Sequence, residues 1–352
     1  MNSRNFWSGK KVLLTGHTGF KGAWMGLLLH ELGANVIGLS LPAVGPRNLY
    51  SEVPKGIWSK EFFVDIRNHA SLEDAVLSIN PEIVFHFAAQ ASVLDSYRDP
   101  VLTWETNVIG TQNMLEVIGK FTEPASALFV TTDKVYRNND GGREFKESDP
   151  LGGVDPYSSS KAAAELVIHS YINGMYANRP EIKICSARAG NVIGGGDWLE
   201  NRIVPDIARA VESGDKLVVR NPDSVRPWQH VADPLLGYLT LAQHLSESTH
   251  PGYQRPFNFG PEPGRKRTVL DLINSMRNHL NFEFQVERDE RFHEAKTLSL
   301  DITDAKELLS WAPLLDFDAT MDLTGQWYAD YLPGAGYKIT TKQLEGILSR
   351  AH

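Results

Sequence analysis

One cysteine, Cys185, is all that this sequence of 352 residues holds. That excludes an intramolecular disulfide framework and fits a reducing cytosol. Cys185 closes the apolar run Ile182-Lys183-Ile184-Cys185, so a buried, inert thiol is expected rather than a nucleophile. Positive charge is also scarce. Thirty-five Lys and Arg face 43 Asp and Glu, for a net charge of -8. A nucleic-acid-binding surface is therefore not expected, although a local basic pocket stays open. No apolar run is long enough to span a bilayer, and no secretory apolar region precedes Lys11. The expectation is a cytoplasmic protein with no membrane partner. His86 has no neighbours at metal-ligand spacing, so it reads as a core histidine and no metal site is expected. Internal repeats and low-complexity segments are absent.

What the chain does have is glycine at a telling place. Val12-Leu13-Leu14-Thr15-Gly16-His17-Thr18-Gly19-Phe20-Lys21-Gly22 reads as a buried strand, a tight turn and the start of a helix. Gly16 allows the turn, Gly19 lets a ligand reach the backbone, and Gly22 lets the helix pack on the strand. The helix end supplies free N–H groups and a positive dipole, which suit a dinucleotide pyrophosphate. Gly16, Thr18, Gly19, Phe20, Lys21 and Gly22 are the expected contacts. The spacing is G-x-x-G-x-x-G, and a plain strand–helix turn is the competing reading.

Strands then alternate with helices: Val36–Leu39, Phe62–Asp65, Ile83–Phe87 and Ala127–Thr132 are strands, with helices near 21–32, 70–79 and 101–119. Right-handed crossovers turn this pattern into a Rossmann-type α/β fold, a doubly wound parallel sheet with helices on both faces. Ligands bind beyond the carboxyl ends of such strands. Ser40 stands at the end of the second strand, where Asp or Glu often holds the adenosine ribose. Arg47 either approaches a 2′-phosphate or is a solvated loop residue. Asp65 and Ile66 either meet the adenine amino group, or Asp65 and Asn68 cap the next helix. Ala88, Ala89 and Gln90 are placed to let the backbone approach a cofactor.

Tyr157 and Lys161 lie four apart in Asp155-Pro156-Tyr157-Ser158-Ser159-Ser160-Lys161. Pro156 suits a first helical turn, and the spacing puts both side chains on one face. A lysine cation, like an oxidised nicotinamide ring, favours the phenolate, so Tyr157 could take a proton from a sugar hydroxyl as hydride leaves. An ordinary exposed i,i+4 pair is the competing reading.

Together with Thr15–Gly22, Phe87–Gln90, Asn107, Thr131–Tyr136 and Arg226–Asp233, this constellation resembles the extended short-chain dehydrogenase/reductase superfamily over most of the chain. The resemblance implies that Thr132, Tyr157 and Lys161 are catalytic, that Asn107 belongs to the cofactor site as a structural residue, and that helices 101–119 and 157–177 pair between subunits in a homodimer or homotetramer. Thr132-Asp133-Lys134 resembles the nucleotide-sugar 4,6-dehydratases, whose motif is commonly Thr-Asp-Glu. With the opening Gly-His-Thr-Gly-Phe-Lys-Gly, it resembles the branch that acts on CDP-glucose. That implies NAD as cofactor and CDP-glucose as substrate. Tyr157, helped by Thr132, would take the C4 hydroxyl proton as hydride passes to NAD. A base would take the C5 hydrogen, Asp133 would protonate the hydroxyl leaving C6, and hydride would return to C6. Lys134 replaces the usual Glu, so it is either the C5 base, which requires a neutral amine, or a group that orients Asp133 or a water.

Composition shifts after Ala187-Arg188-Ala189-Gly190-Asn191-Val192-Ile193-Gly194-Gly195-Gly196-Asp197-Trp198. The expected division is a cofactor domain of 1–187 plus 229–260 and a smaller nucleotide-sugar lobe of 188–228 plus 261–352. The resemblance places Asn191 on the substrate diphosphate and Trp198 and Arg202 near the nucleotide. A glycine loop with a buried Trp is the competing reading. Arg226 suits a bidentate diphosphate contact or a salt bridge to Asp233 or another carboxylate. A short strand is expected at 218–220, helices at 231–245 and after Thr268, a strand at 256–260, a short helix ending near Trp311, and a last helix after Asp316 with Leu323, Trp327 and Tyr331 as its packing stripe. Two other functions fit less well. One is an epimerase or decarboxylase on the same scaffold, against which Asp133 argues because an epimerase has no leaving hydroxyl at C6 to protonate; the other is a non-catalytic nucleotide-binding regulator, which has no need of Tyr157, Lys161 and Thr132.

Overall fold

A computed structural model describes residues 3–45, 47–264, 266–287 and 297–350. The apolar runs become a seven-stranded sheet of β1 (Lys11–Thr15), β2 (Asn35–Ser40), β3 (Lys60–Phe63), β4 (Ile83–His86), β5 (Ala125–Val130), β6 (Ile182–Ala189) and β7 (Pro256–Phe259). The order is β7-β6-β5-β4-β1-β2-β3, and every pair is parallel. The inner strands are buried on both faces because helices cover both. On one side Trp24, Leu28, Leu235 and Tyr238 pack against β1, β4 and β6; on the other, Leu72, Val76, Met114 and Ile118 close a second core. Connections reverse direction between β1 and β4, and the carboxyl ends of these strands open there into a crevice.

Among the helices are α1 (Phe20–Glu31), α2 (His69–Ile79), α3 (Pro156–Ser170), α4 (Ile203–Ser213) and α5 (Ala232–Glu247). The expected helix over 101–119 is interrupted. Pro100–Trp104 is α-helical, Glu105–Ile109 makes one π turn, and Gly110–Ile118 resumes the α-helix. A second π turn, Tyr171–Met175, follows α3. Asn68 caps α2 through Ser71 N–H, but Asp65 does not; it accepts from Arg67 Nη2 at 2.6 Å and from Arg67 N–H at 2.9 Å. Thr268 caps Val269–Met276 in a capping box with Asp271.

Beyond β6 two small parallel pairs build the second lobe: Val192–Ile193 with Gln229–His230, and Leu217–Val219 with Phe284–Val286. Phe317–Asp330 (α6) presents Trp327, fully buried and stacked on Tyr331, while Leu323 packs against a small cluster of Ala232, Leu315 and Ile347. It is not the last helix. Gly336–Leu348 follows, and Thr340 accepts from Trp327 Nε1 at 2.9 Å. Pro333 and Gly334 interrupt the chain after α6, yet helix resumes beyond them because Leu344 and Ile347 give that segment a buried apolar face of its own. Among the described residues no helix is long and apolar enough to cross a membrane.

Candidate active site

The glycine turn after β1 is tightly specified. Gly16 has φ +72°, and a Cβ there would meet Ala88 N at 2.8 Å. A Cβ on Gly22 would meet Gly16 O at 2.1 Å. Gly19 is different: only Gly16 O lies within 4 Å of where its Cβ would be, so the turn has open space above it. Gly19 also caps α1 with no side-chain hydrogen bond, which leaves the helix amides for a ligand. A cradle with no side chain and uncapped amides fits a pyrophosphate, and so fits NAD.

The surrounding residues hold this cradle in shape. Thr15 Oγ1 accepts from Phe87 N and Ala88 N, both at 3.1 Å, and meets His86 Nδ1 at 3.0 Å. His86 Nε2 is buried with no hydrogen-bond partner, so Thr15 Oγ1 is the side-chain contact that fixes the ring. Burial pushes His86 down to about 3, so it stays neutral. Thr18 Oγ1 donates to Leu41 O at 3.0 Å and bonds Ser40 Oγ at 2.9 Å. Ser40 therefore stands at the end of β2 as expected. Arg47 takes the second of its expected places, exposed on a loop. It pairs with Glu212 of α4 and lies over Trp198, 5.0 Å from the ring centroid, where its charge finds a carboxylate and a π face.

Ala88, Ala89 and Gln90 follow β4 and are half-buried. Asn107 holds them from behind. It accepts from Gln90 N at 2.9 Å and donates to Gln90 O at 3.0 Å and Ser160 Oγ at 2.9 Å. Both amide protons are used and the side chain is buried, so Asn107 shapes the site through Gln90 and does not face a cofactor directly. The π turn at 105–109 carries this residue.

At the end of β5 stand Thr132 and Asp133, both buried. Thr132 Oγ1 donates to Asp133 Oδ1 at 3.1 Å, while Asp133 Oδ2 is buried with no hydrogen-bond partner. Burial pushes Asp133 up, against the opposing pull of Lys134, Thr132, Arg226 and Lys21. Lys134 is half-buried, and its N–H donates to Thr132 Oγ1 at 3.3 Å. Tyr157 and Lys161 come from α3, whose N-cap Asp155 accepts from Ser158 N at 2.9 Å. Both side chains are buried, which removes the reading of an exposed pair. Lys161 Nζ donates to Val130 O at 3.0 Å, and burial pushes it down to about 8. Tyr157 bonds Thr132, but burial pushes its phenol up to about 12; the cation that counters this is Arg202. So Arg202, expected at the nucleotide, also lies within electrostatic reach of Tyr157, held by Asp197 Oδ2 at 3.0 Å.

Below Thr131 lies a buried network with no counterpart in the sequence reading. Arg188 grips Glu165 with two hydrogen bonds, Nε at 2.9 Å and Nη2 at 3.0 Å. Thr131 and Ser186 donate to the same carboxylate. Burial works to raise Glu165, yet Arg188 and these donors hold it low. Arg188 Nη1 also donates to Tyr136 Oη at 2.8 Å, and Tyr136 donates to Asn258 at 2.7 Å. The signal was available: Glu165 is four residues beyond Lys161, on the same face of α3.

In the second lobe Asn191 and Arg226 are half-buried at the crevice. Asp233 does not pair with Arg226; its oxygens accept from Leu314 N at 2.8 Å and Leu315 N at 3.3 Å. Trp198 packs edge-on against Tyr328, 5.4 Å between centroids, and near Trp327 and Tyr331, so its ring is held by α6. Asp65 is committed to Arg67, and Ile66 packs in the second core. Cys185 is buried, and burial pushes its thiol well up, as an inert core residue requires.

Relatives fit this geometry. The chain is 38% identical to a CDP-glucose 4,6-dehydratase of Salmonella typhimurium over 97% of each chain. It is 28% identical to a dTDP-glucose 4,6-dehydratase of Mycolicibacterium smegmatis, over 90% of this chain and 93% of that one. Among solved structures, a UDP-glucose 4-epimerase of Thermus thermophilus in complex with NAD superposes with a TM-score of 0.77 at 27% identity, covering 91% of this chain and 99% of the other. Residues 12–260 match the model of the NAD dependent epimerase/dehydratase family, and it is to this family that the chain belongs.

Proposed function

We propose that this protein is an NAD-dependent CDP-glucose 4,6-dehydratase, converting CDP-glucose to CDP-4-keto-6-deoxyglucose for the synthesis of 6-deoxy and 3,6-dideoxy sugars. The observation that carries the reading is Asp133: a buried carboxyl, pushed towards its protonated form, beside Thr132 and Tyr157. A 4-epimerase has no departing group to protonate, so such an acid would serve no step in it. The 38% identity to a CDP-glucose 4,6-dehydratase supports the base and the sugar.

Bound NAD supplies a hydride acceptor at C4 and a hydride donor at C6. The loop from Gly16 to Gly22, Ser40, the Ala88–Gln90 backbone, Tyr157 and Lys161 would hold it. Tyr157 takes the C4 hydroxyl proton, with Thr132 bridging. Its phenol is raised by burial, so the opposing charge of Arg202 and the Thr132 bond do the activating. The ketone at C4 acidifies C5–H. Lys134 is our candidate for that proton; the same residue pulls electrostatically on Asp133, which also suits an orienting cation. Asp133 then protonates the hydroxyl that leaves C6 as water. Asn191 and Arg226 would hold the diphosphate, with Trp198 and Arg202 beside the nucleotide.

Two further proposals concern the whole protein. Val101, Trp104, Ile109 and Leu166 expose apolar side chains on the helices expected to pair, which supports a homodimer or homotetramer of a cytoplasmic enzyme. The division is placed at 1–187 plus 229–260 and 188–228 plus 261–352: β7 in the main sheet and the separate pair Leu217–Val219 with Phe284–Val286 support it, while Val192–Ile193 with Gln229–His230 bridges the two parts. The experiment is incubation with CDP-glucose and NAD. Loss of water, with C4 oxidised and C6 reduced in the same sugar, is expected; an isomer of unchanged mass would move the protein to the epimerases.

A further inference from the structure

Asp133 and Lys134 sit on a short 3-10 turn, Asp133–Val135, that follows β5. Among the described residues Asp133 has its one hydrogen bond inside that segment, from Thr132 Oγ1 at 3.1 Å, and its Oδ2 has none. A carboxyl so placed is positioned by the chain on either side of it. On one side Thr131 Oγ1 donates to Glu165 Oε1. On the other side Tyr136 Oη accepts from Arg188 Nη1 at 2.8 Å. Glu165 and Arg188 are also partners of each other, through Nε to Oε1 at 2.9 Å and Nη2 to Oε2 at 3.0 Å. The two anchors of the turn are therefore the two halves of one ion pair. Its side chains are only 3% and 4% exposed, so water does not compete for it. The Tyr136 end is braced further. Tyr136 Oη donates to Asn258 Oδ1 at 2.7 Å, its ring stacks on Phe145 with centroids 4.9 Å apart, and Val135 O accepts from Gly152 N at 2.8 Å.

A buried ion pair is a poor source of stability, because desolvating two charges offsets most of their attraction and apolar replacements of similar volume are often as stable. What it supplies is geometry. A planar guanidinium that grips a carboxylate with two hydrogen bonds fixes direction as well as distance. Catalysis needs that, since a misplacement of about 1 Å costs about 10²-fold in rate. We propose that Glu165, Arg188 and Tyr136 are positioning residues for dehydration, a clamp that holds the Asp133–Lys134 turn at both ends against the helix carrying Tyr157 and Lys161. The inference rests on the dehydratase reading. Oxidation at C4 uses Tyr157 and Lys161, which belong to α3 itself, whereas water loss uses the clamped turn. Slackening one end of the turn should therefore slow water loss more than it slows oxidation.

The test uses variants that leave both charges of the pair in place. Thr131→Val removes one anchor and Tyr136→Phe the other, each with little change of shape, and Thr131→Ser keeps the hydroxyl as a control. Thr131→Val and Tyr136→Phe are each expected to lower kcat for water loss from CDP-glucose about tenfold to 10²-fold, with KM close to that of the wild type. Oxidation at C4 should continue, so reduced cofactor stands on the enzyme during turnover and is read by its absorbance. Thr131→Ser should recover the wild-type rate. Circular dichroism checks that each variant is folded. Wild-type kcat in both Thr131→Val and Tyr136→Phe would overturn the proposal. So would equal loss of C4 oxidation and water loss, or a Thr131→Ser variant no faster than Thr131→Val, because a general loosening of the fold predicts both. A wild type that removes no water from CDP-glucose would instead overturn the dehydratase reading on which the proposal stands.

Discussion

Two opposing influences meet on the Asp133 carboxyl. Burial favours its neutral form, and Lys134, Thr132, Arg226 and Lys21 favour the anion. The upward shift wins, which is the state a general acid needs. Asp133→Asn should keep substrate binding but lower turnover by about 10²–10⁴, read as the rate of water loss by mass spectrometry; full activity in this variant would remove the acid role. Because the acid must carry its proton, kcat should fall as pH rises through the raised pKa of Asp133, and Asp133→Glu should move that limb of the profile. At Lys134 the measurement is different. If Lys134→Met abolishes exchange of the C5 hydrogen with deuterated solvent, the amine is the base; if exchange continues at full rate, it orients Asp133. The residues proposed for these roles were legible as residue types, since Thr132-Asp133-Lys134 and Tyr157 with Lys161 stand out along the chain. The direction of the Tyr157 shift was not, because it depends on burial and on Arg202, which folding brings from 45 positions away along the chain.

At the level of elements, the strand ends matter less for their own stability than for what braces them. The Arg188–Glu165 pair joins β6 to α3 beneath Thr131, so it fixes the height of Thr132 and Asp133 relative to Tyr157 and Lys161. Removing one partner leaves a buried charge alone. Arg188→Met should therefore destabilise the fold by about 3–5 kcal/mol, measured by denaturant unfolding, and a loss under ~1 kcal/mol would mean that the pair is not buried as described. Asn107 plays a similar part for the loop after β4. Strand and helix positions were readable from apolar runs and turn residues, and most boundaries fall within a few residues of where the pattern puts them. The π turns at 105–109 and 171–175 were not readable, because an extra residue per turn leaves almost no mark on the apolar periodicity. The helix at 336–348 was missed because Gly334 and Gly336 look like the end of structure; in fact Gly336 N donates to Glu52 Oε2 at 2.6 Å and ties that helix to the first lobe.

For the whole molecule, the lobes are joined by contacts that no local pattern encodes. Trp24 Nε1 donates to Gly195 O at 2.9 Å, Tyr331 Oη donates to Glu52 at 2.6 Å, and Arg47 reaches Glu212. Buried histidines set how the assembly responds to acid. Burial pushes His86 and His230 down to about 3, below the ordinary value of 6.5. Between about pH 3 and 6.5 the unfolded chain therefore binds more protons at these sites than the folded one. Their contribution is present above 6.5 and is lost as pH falls, by up to ~1.4 kcal/mol per pH unit for each histidine. Asp233 works in the opposite direction. Burial raises it to about 6, so below that pH the folded state holds the extra proton and gains stability. Across pH 4–7, Asp233→Asn should make unfolding free energy fall more steeply with acidification than in the wild type; an unchanged slope would contradict the raised Asp233 carboxyl. The α/β class and its crevice could be read from the alternation of strands and helices, whereas these long-range pairings could not, since they join residues up to 284 positions apart.

The central claim is dehydration of a CDP-sugar by internal redox, and one measurement bears on it directly: mass spectrometry of the products after separate incubation with CDP-glucose, dTDP-glucose and GDP-mannose in the presence of NAD. The account predicts that CDP-glucose alone loses one molecule of water. An isomer of unchanged mass, water loss from a different nucleotide sugar only, or no conversion of any of the three would contradict it.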